Sequence, residues 1–232
     1  MLLQDAPATY LFKLWPWIEA NKVRIASGAG ILLAAIALIF FYSWQQDQKE
    51  ITAGTEMTQL VVADRRNTPA VQQAGLYMNI ARDYKNTSAG QRAFLQSATT
   101  LFEAGQYADA QTQFQQFLDQ YPDNFFAAQA ALGLATCLDV QGKMDLAAPA
   151  YQRVINGYSD PVAANLAKFS LAQIDERQGK LTEAFKLYEE IIQTSPNGSL
   201  GSDAEMRAME LKNKQPSAPP AATSTAPFKL NP

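Results

Sequence analysis

Residues 92–122 read RAFLQSATTLFEAGQYADAQTQFQQFLDQYP, and the glycine near their centre decides the fold. Gly105 recurs as Gly142 and Gly179, 37 residues apart each time. The positions around it keep the same interval: Ala98, Ala135 and Ala172; Ala110, Ala147 and Ala184; Phe114, Tyr151 and Tyr188; Phe117, Val154 and Ile191. Tyr84, Tyr121 and Tyr158 carry the comb one unit upstream, and Ser195 stands where a fourth tyrosine would fall. Self-similarity at a fixed period of this length marks a supersecondary unit repeated along the chain.

Within each unit, apolar residues at helical spacing lead to a Gly with a small polar linker. A second helical stretch follows, and then a breaker: Pro122, Ser159-Asp160-Pro161 or Pro196. The unit is therefore a helix–turn–helix hairpin. In the first copy, helix A is expected from about Arg92 to Glu103 and helix B from Tyr107 to Gln120. Small Ala98 and Ala110 suit a close crossing of the two helices, and the aromatic at 114, 151 or 188 fills the space between successive hairpins. One hairpin cannot bury its apolar face alone, so the copies must stack. Upstream, residues 69–84 read as a lone helix B, with Tyr77 and Ile80 in the aromatic and apolar slots. Residues 46–66 are its helix A. Downstream, Ser202 is placed to cap a last helix, Asp203 to Lys212, covering the third hairpin.

Gly105-Gln106-Tyr107, Ala110, Phe114 and Pro122 resemble the tetratricopeptide repeat. The second copy departs from that pattern at Met144 and Ser159. The third departs at Leu181 and at Asp175, where an apolar residue is usual, which implies looser packing there. The resemblance covers residues 70–210, and the 37-residue period is similar to the repeats of bacterial envelope proteins.

Residues 25–44, IASGAGILLAAIALIFFYSW, carry no charge. At 1.5 Å per residue, twenty residues span about 30 Å, the thickness of a bilayer's hydrocarbon core. A buried core helix would be shorter and would have a polar stripe. Trp15 and Trp17 precede the span, and Phe40, Phe41, Tyr42 and Trp44 close it, as rings that prefer the headgroup level do. Lys13, Lys22 and Arg24 on the N-terminal side outweigh Lys49 on the other, which places the N-terminus in the cytoplasm. The exit sequence offers no small-x-small cleavage site, so the span is expected to stay attached. Ala26, Gly30 and Ala34 form a small-residue face on which another membrane helix, including that of a second copy, could approach. Small residues are also simply common in such helices.

The expected organisation is all-α: a cytoplasmic segment 1–24, a transmembrane helix 25–44, a juxtamembrane helix with a degenerate repeat over 45–86, and repeats with a capping helix over 87–212. A Pro/Ala/Ser/Thr-rich tail, 213–232, reads as disordered. Phe228-Lys229-Leu230 within it is either a short docking peptide or part of a featureless tail.

Composition excludes much chemistry. The chain has no histidine and one cysteine, Cys137, so Ser-His or Cys-His nucleophile pairs and Cys/His zinc cages are out of reach. Cys137 itself falls on helix A of the second hairpin as a small packed residue or, alternatively, a redox sensor. Carboxylate pairs such as Asp175-Glu176 and Glu189-Glu190 are adjacent on a helix and diverge by about 100°. Nineteen Lys+Arg against 22 Asp+Glu, scattered, form no phosphate-binding surface, so nucleic acid is not an expected partner. No catalytic residue, cofactor or metal is expected.

What remains is a surface for other proteins or peptides. The resemblance implies that the A helices line a concave groove. The slots facing it are Arg92, Leu95, Thr99 and Phe102; Gln129, Leu132, Thr136 and Asp139; Leu166, Phe169, Gln173 and Glu176. A short cytoplasmic N-terminus, one span and a periplasmic repeat stack resemble the layout of the bacterial YfgM-like proteins. That resemblance implies chaperone-like work at the inner membrane beside the Sec translocon, with translocon subunits and exported clients as partners. The alternative is a scaffold, similar to the Tol-associated coordinators of envelope assembly.

Overall fold

The computed structural model describes residues 8–63 and 68–214. Among these residues there are nine helices and no strand: α1 (Ala8–Ala63), α2 (Ala70–Asp83), α3 (Ser88–Glu103), α4 (Tyr107–Gln120), α5 (Ala127–Val140), α6 (Met144–Gly157), α7 (Pro161–Arg177), α8 (Leu181–Thr194) and α9 (Ser199–Lys214). From α2 onward each helix packs against the next in the chain, which is the contact pattern of a solenoid. The tail from residue 215 lies outside the described residues, as does Phe228-Lys229-Leu230.

The three A-to-B turns are built identically. Gly105, Gly142 and Gly179 have φ of 76°, 73° and 76°, a left-handed conformation that only glycine adopts without strain. In each, the glycine N–H bonds back to the carbonyl three residues earlier, and the following N–H reaches five back: Gly105 to Phe102 and Gln106 to Leu101 in the first turn. This Schellman closure satisfies the carbonyls that a helix end would otherwise orphan. The opposite ends of α3 and α7 are capped by side chains. Thr87 Oγ1 accepts from Gly90 N–H, and Asp160 Oδ1 accepts from Val162 and Ala163 N–H. Helix α3 therefore starts at Ser88, one turn earlier than apolar spacing suggests.

Packing follows the period. The aromatic slot of the B helices, Tyr77, Phe114, Tyr151 and Tyr188, is at most 4% exposed, and Ile80, Phe117, Val154 and Ile191 below it are at most 5% exposed. Burying each such side chain contributes about 1.5–3 kcal/mol. On the A helices, Ala93, Ala130, Ala167 and Ala204 are all fully buried, again 37 residues apart. Ala204 belongs to α9. This helix starts at Ser199 and Ser202 lies inside it, its hydroxyl on the Gly198 carbonyl. The expected cap is thus a helix A in register with the other three, the start of a fourth unit.

Phe114 makes the contact between hairpins concrete. A Cβ added to Gly133 on α5 would come within 2.5 Å of the Phe114 ring. One repeat on, Tyr151 hydrogen-bonds toward Ser170, the equivalent of Gly133, and toward Thr136 Oγ1.

Helix α1 is 56 residues long, about 84 Å at 1.5 Å per residue. It is long and apolar enough to cross a membrane, and Ile25 to Trp44, including Ala26, Gly30 and Ala34, is exposed throughout. No break separates this part from residues 45–63, where Ala53 and Met57 are buried against α2 and α3. Glu50 accepts from Ser88 and Ala89 N–H at 2.7 and 2.8 Å, and Gln46 Nε2 donates to the Asn86 carbonyl at 3.0 Å. The apolar helix is therefore helix A of the first hairpin, joined to the stack without a linker.

Two stability consequences follow. Gly133→Val should lose about 1–3 kcal/mol through overpacking against Phe114. Combined with Phe114→Leu it should cost less than the two single changes added, in urea titrations of the full chain followed by circular dichroism. At Asp175, 9% exposed, desolvation raises the carboxyl above its ordinary value, with Lys180 at 3.9 Å opposing and Glu183 adding to the shift. The folded state then binds this proton more tightly than the unfolded chain. Its contribution is complete below the unfolded-state value and is lost as pH rises through the folded one. Asp175→Leu should accordingly stabilise the protein by about 1 kcal/mol at neutral pH and flatten that part of the pH profile.

Candidate functional site

The slots of the A helices come together between successive hairpins, though not all twelve residues take part. A shallow cavity of about 190 Å³ between α3 and α5 is lined by Thr99 and Phe102 on one side and by Gln129, Leu132, Gly133 and Thr136 on the other, with Phe114 beneath. Phe102 is half-buried and is held by an edge-on contact with Tyr107, ring centroids 5.2 Å apart. Thr99 and Thr136 spend their hydroxyl protons on the carbonyls one turn back, Leu95 and Leu132, which leaves their methyl groups to face the cavity. The floor is apolar because Gly133 lacks a side chain and exposes the Phe114 ring.

The far end of the same face is charged. Gln173, Glu176, Arg177 and Arg207 line a cavity of about 290 Å³. Phe169, Asp203, Met206, Arg207 and Glu210 line another of about 430 Å³. Phe169 lies edge-on to Tyr188 at 5.4 Å, and the Tyr188 hydroxyl donates to Glu176. Burial first, then that carboxylate, pushes the Tyr188 hydroxyl far above its ordinary value, so it stays a donor. Arg177 forms an ion pair with Asp139 one repeat earlier, which ties α7 to α5 along the groove. Hydrogen bonding to Lys214 holds the Glu210 carboxyl below its ordinary value.

Several expected residues behave differently. Leu95 is only 4% exposed and belongs to the core of the first hairpins, so it cannot touch a partner: its side chain is needed to fill the space between α3 and its neighbours. Arg92 is exposed at the start of α3, and Leu166 is exposed on α7; neither lines a cavity described above. Asp139 is occupied by Arg177.

The residues that sequence reasoning missed are those of α9. Asp203, Met206 and Glu210 stand 37 positions beyond Leu166, Phe169 and Gln173, so continuing the comb once more finds them. Reading α9 as a cap hid this. Arg207 stands 37 residues beyond Ser170 and so takes the position of Gly133, but neither it nor Arg177 has an arginine counterpart in the other repeats, and no spacing signal announces their charge.

Cys137 is fully buried on α5, and burial pushes its thiol up to about 12. A thiol so desolvated is a packed core atom and a poor nucleophile. Among the described residues no group of three or more Cys, Asp or Glu is placed to hold a metal ion.

Several solved structures share this fold. A crystal structure of MamA protein matches with 16% identity over 79% of this chain and 100% of that chain, with a TM-score of 0.50. The MamA RS-1 ArsTM double mutant matches with 17% identity over 72% of this chain and 97% of that chain, TM-score 0.50. A Podosopora anserina putative kinesin light chain with nearly identical TPR-like repeats matches with 11% identity over 74% of this chain and 88% of that chain, TM-score 0.50. At these identities the likeness is one of fold alone. No curated protein sequence matches the chain significantly.

The family comparison is more direct. The tetratricopeptide repeat-like domain matches residues 16–149 and again residues 112–207, which together span most of the chain, including the long apolar helix. Domains of this kind are generally non-enzymatic modules that bind other proteins or peptides. With its three Schellman turns, its buried alanine column and a groove formed by A helices, the chain belongs to the tetratricopeptide repeat-like domain family.

Proposed function

We propose that this protein is a membrane-anchored, protein-binding module of the bacterial envelope, with its groove on the periplasmic side and chaperone-like work beside the Sec translocon, as in the YfgM-like proteins. The observation that carries this reading is the groove itself: an apolar floor at Phe102, Leu132 and Gly133 grades into a charged end at Glu176, Arg177 and Arg207. Shallow cavities in a row suit an extended or helical peptide held by a few side-chain anchors, whereas a small molecule would need enclosure. Shallowness also favours weak binding of many sequences over tight binding of one. Anchoring by α1 would raise the local concentration of such a site at a channel exit, so that weak contacts suffice. The excess of Lys and Arg before residue 25 supports a cytoplasmic N-terminus and a periplasmic stack.

A scaffold in envelope assembly is the second reading. The Asp139–Arg177 ion pair favours it, because a charge pair tying α5 to α7 along the groove stiffens that surface. A rigid surface suits a folded partner better than a mobile one.

Photo-crosslinking in cells separates the two. Photoreactive residues at Thr99, Leu132 and Gln173 probe the groove, and Gln116 and Glu189, exposed on the B helices, serve as controls. Translocon subunits together with a spread of exported proteins, captured from the groove positions only, are the expected result. Recovery of one or two folded envelope proteins would establish the scaffold instead, and equal capture from both faces would sink the groove assignment.

A further inference from the structure

The helices alternate in direction, so the loops after α2, α4, α6 and α8 share one edge of the stack and the glycine turns share the other. Hydrogen bonds run along the first edge. Tyr121 donates to the Lys85 carbonyl at 3.0 Å, Asn124 Nδ2 donates to Gln91 Oε1 at 2.7 Å, and Asn165 Nδ2 donates to Ser195 Oγ at 3.0 Å. A cavity of about 550 Å³ lies between Asn124-Phe125 and residues 158–162 on this edge.

Helix α1 fixes where that edge sits. Gln46 bonds to Asn86 and Glu50 caps α3 at Ser88 and Ala89. Gln46 is two residues beyond Trp44 and Glu50 is six, so the first loop stands about 3–9 Å along the helix from the end of the apolar stretch. The headgroup region on each side of a bilayer is about 5–7 Å thick. The first loop is thus set at headgroup level when α1 spans the bilayer, and the loop edge continues from it. On it, Phe125 is 89% exposed and Val162 68% exposed, beside Pro161. Lys85, Asp123 and Asp160 at the same edge carry no positive excess, so charge attraction to lipid is not available.

We infer that Phe125 and Val162 form a second membrane contact, inserting into the interfacial region of the bilayer that α1 crosses. This rests on the reading of α1 as a membrane span. Aromatic and aliphatic side chains gain free energy at this depth without needing an anionic headgroup. The contact would stop the stack from tilting about its single helix and would hold the groove at a fixed angle to the membrane.

The test uses the full chain, one copy per lipid nanodisc, with Cys137→Ala as background. An environment-sensitive fluorophore is placed by Asp123→Cys or Ser159→Cys on the loop edge, by Gln106→Cys or Lys143→Cys at the glycine turns, and by Ile36→Cys within α1. Lipids carry quenchers at the headgroup or deep in the acyl chain. Headgroup quenching at 123 and 159 but not at 106 and 143, lost when Phe125→Ser and Val162→Ser are added, is the expected result, with deep quenching at 36. Absence of quenching at 123 and 159 while 36 is quenched overturns the second contact and leaves the span intact. Failure of deep quenching at 36 overturns the span, and this inference with it. Quenching that appears only with anionic lipid, or shielding that appears only with two copies per disc, would overturn apolar insertion in favour of headgroup charge or a copy–copy interface.

Discussion

The ring of a B helix packed against the next A helix is the contact on which the rest of this structure depends. Phe114 lies against Gly133, and Tyr151 reaches Ser170 at the equivalent place. A hairpin has no core of its own. In these two repeats the following hairpin presents a residue small enough to admit the aromatic, whereas beside the equally buried Tyr77 and Tyr188 the same position holds Gln96 and Arg207. The same contact sets the groove: where Gly133 exposes Phe114, the space between neighbouring A helices has an apolar floor. Stability and binding surface therefore draw on the same few positions, and a substitution there alters both.

The period made most of the fold legible before any coordinates. Glycines at 105, 142 and 179 announced the turns between helices, and all three have positive φ. The aromatic and alanine slots announced which faces are buried. What the period did not carry was lost for physical reasons. Helix starts depend on side-chain caps from Thr87 and Asp160, and these lie outside the apolar pattern. Glu50 closes the N-terminus of α3 from 38 residues away, a contact that local sequence does not encode. Leu95 shares a slot with Leu132 and Phe169 yet is buried, because the first hairpins pack against α1 and the later ones do not. End units of a solenoid have different neighbours, so slot equivalence weakens there.

The other end teaches the same lesson in reverse. Helix α9 looked like a cap because it is polar and begins with a serine. In the structure its Ala204 continues the column of Ala93, Ala130 and Ala167, and its Leu211 is 1% exposed. It differs from its predecessors where they meet their own helix B: Met209 stands 37 residues beyond the buried Ala172 and is 57% exposed. Among the described residues α9 is the last helix of the stack, and its groove-side face continues the line through Asp203, Met206 and Glu210.

The absence of a linker between the apolar helix and the repeats has a mechanical consequence. A Gly/Ser-rich segment would let the stack diffuse over a hemisphere around its tether. Here residues 45–63 are at once the outward extension of α1 and the buried helix A of the first hairpin, pinned through Ala53, Met57, Gln46 and Glu50. Any rotation of α1 about its axis must therefore turn the groove by the same angle. With α1 spanning a membrane, as proposed, position relative to the bilayer would be set by the helix and not by chain entropy. A surface anchored in the proposed way would give up reach and gain orientation, which would favour a partner that is itself fixed in the membrane over one that arrives from any direction.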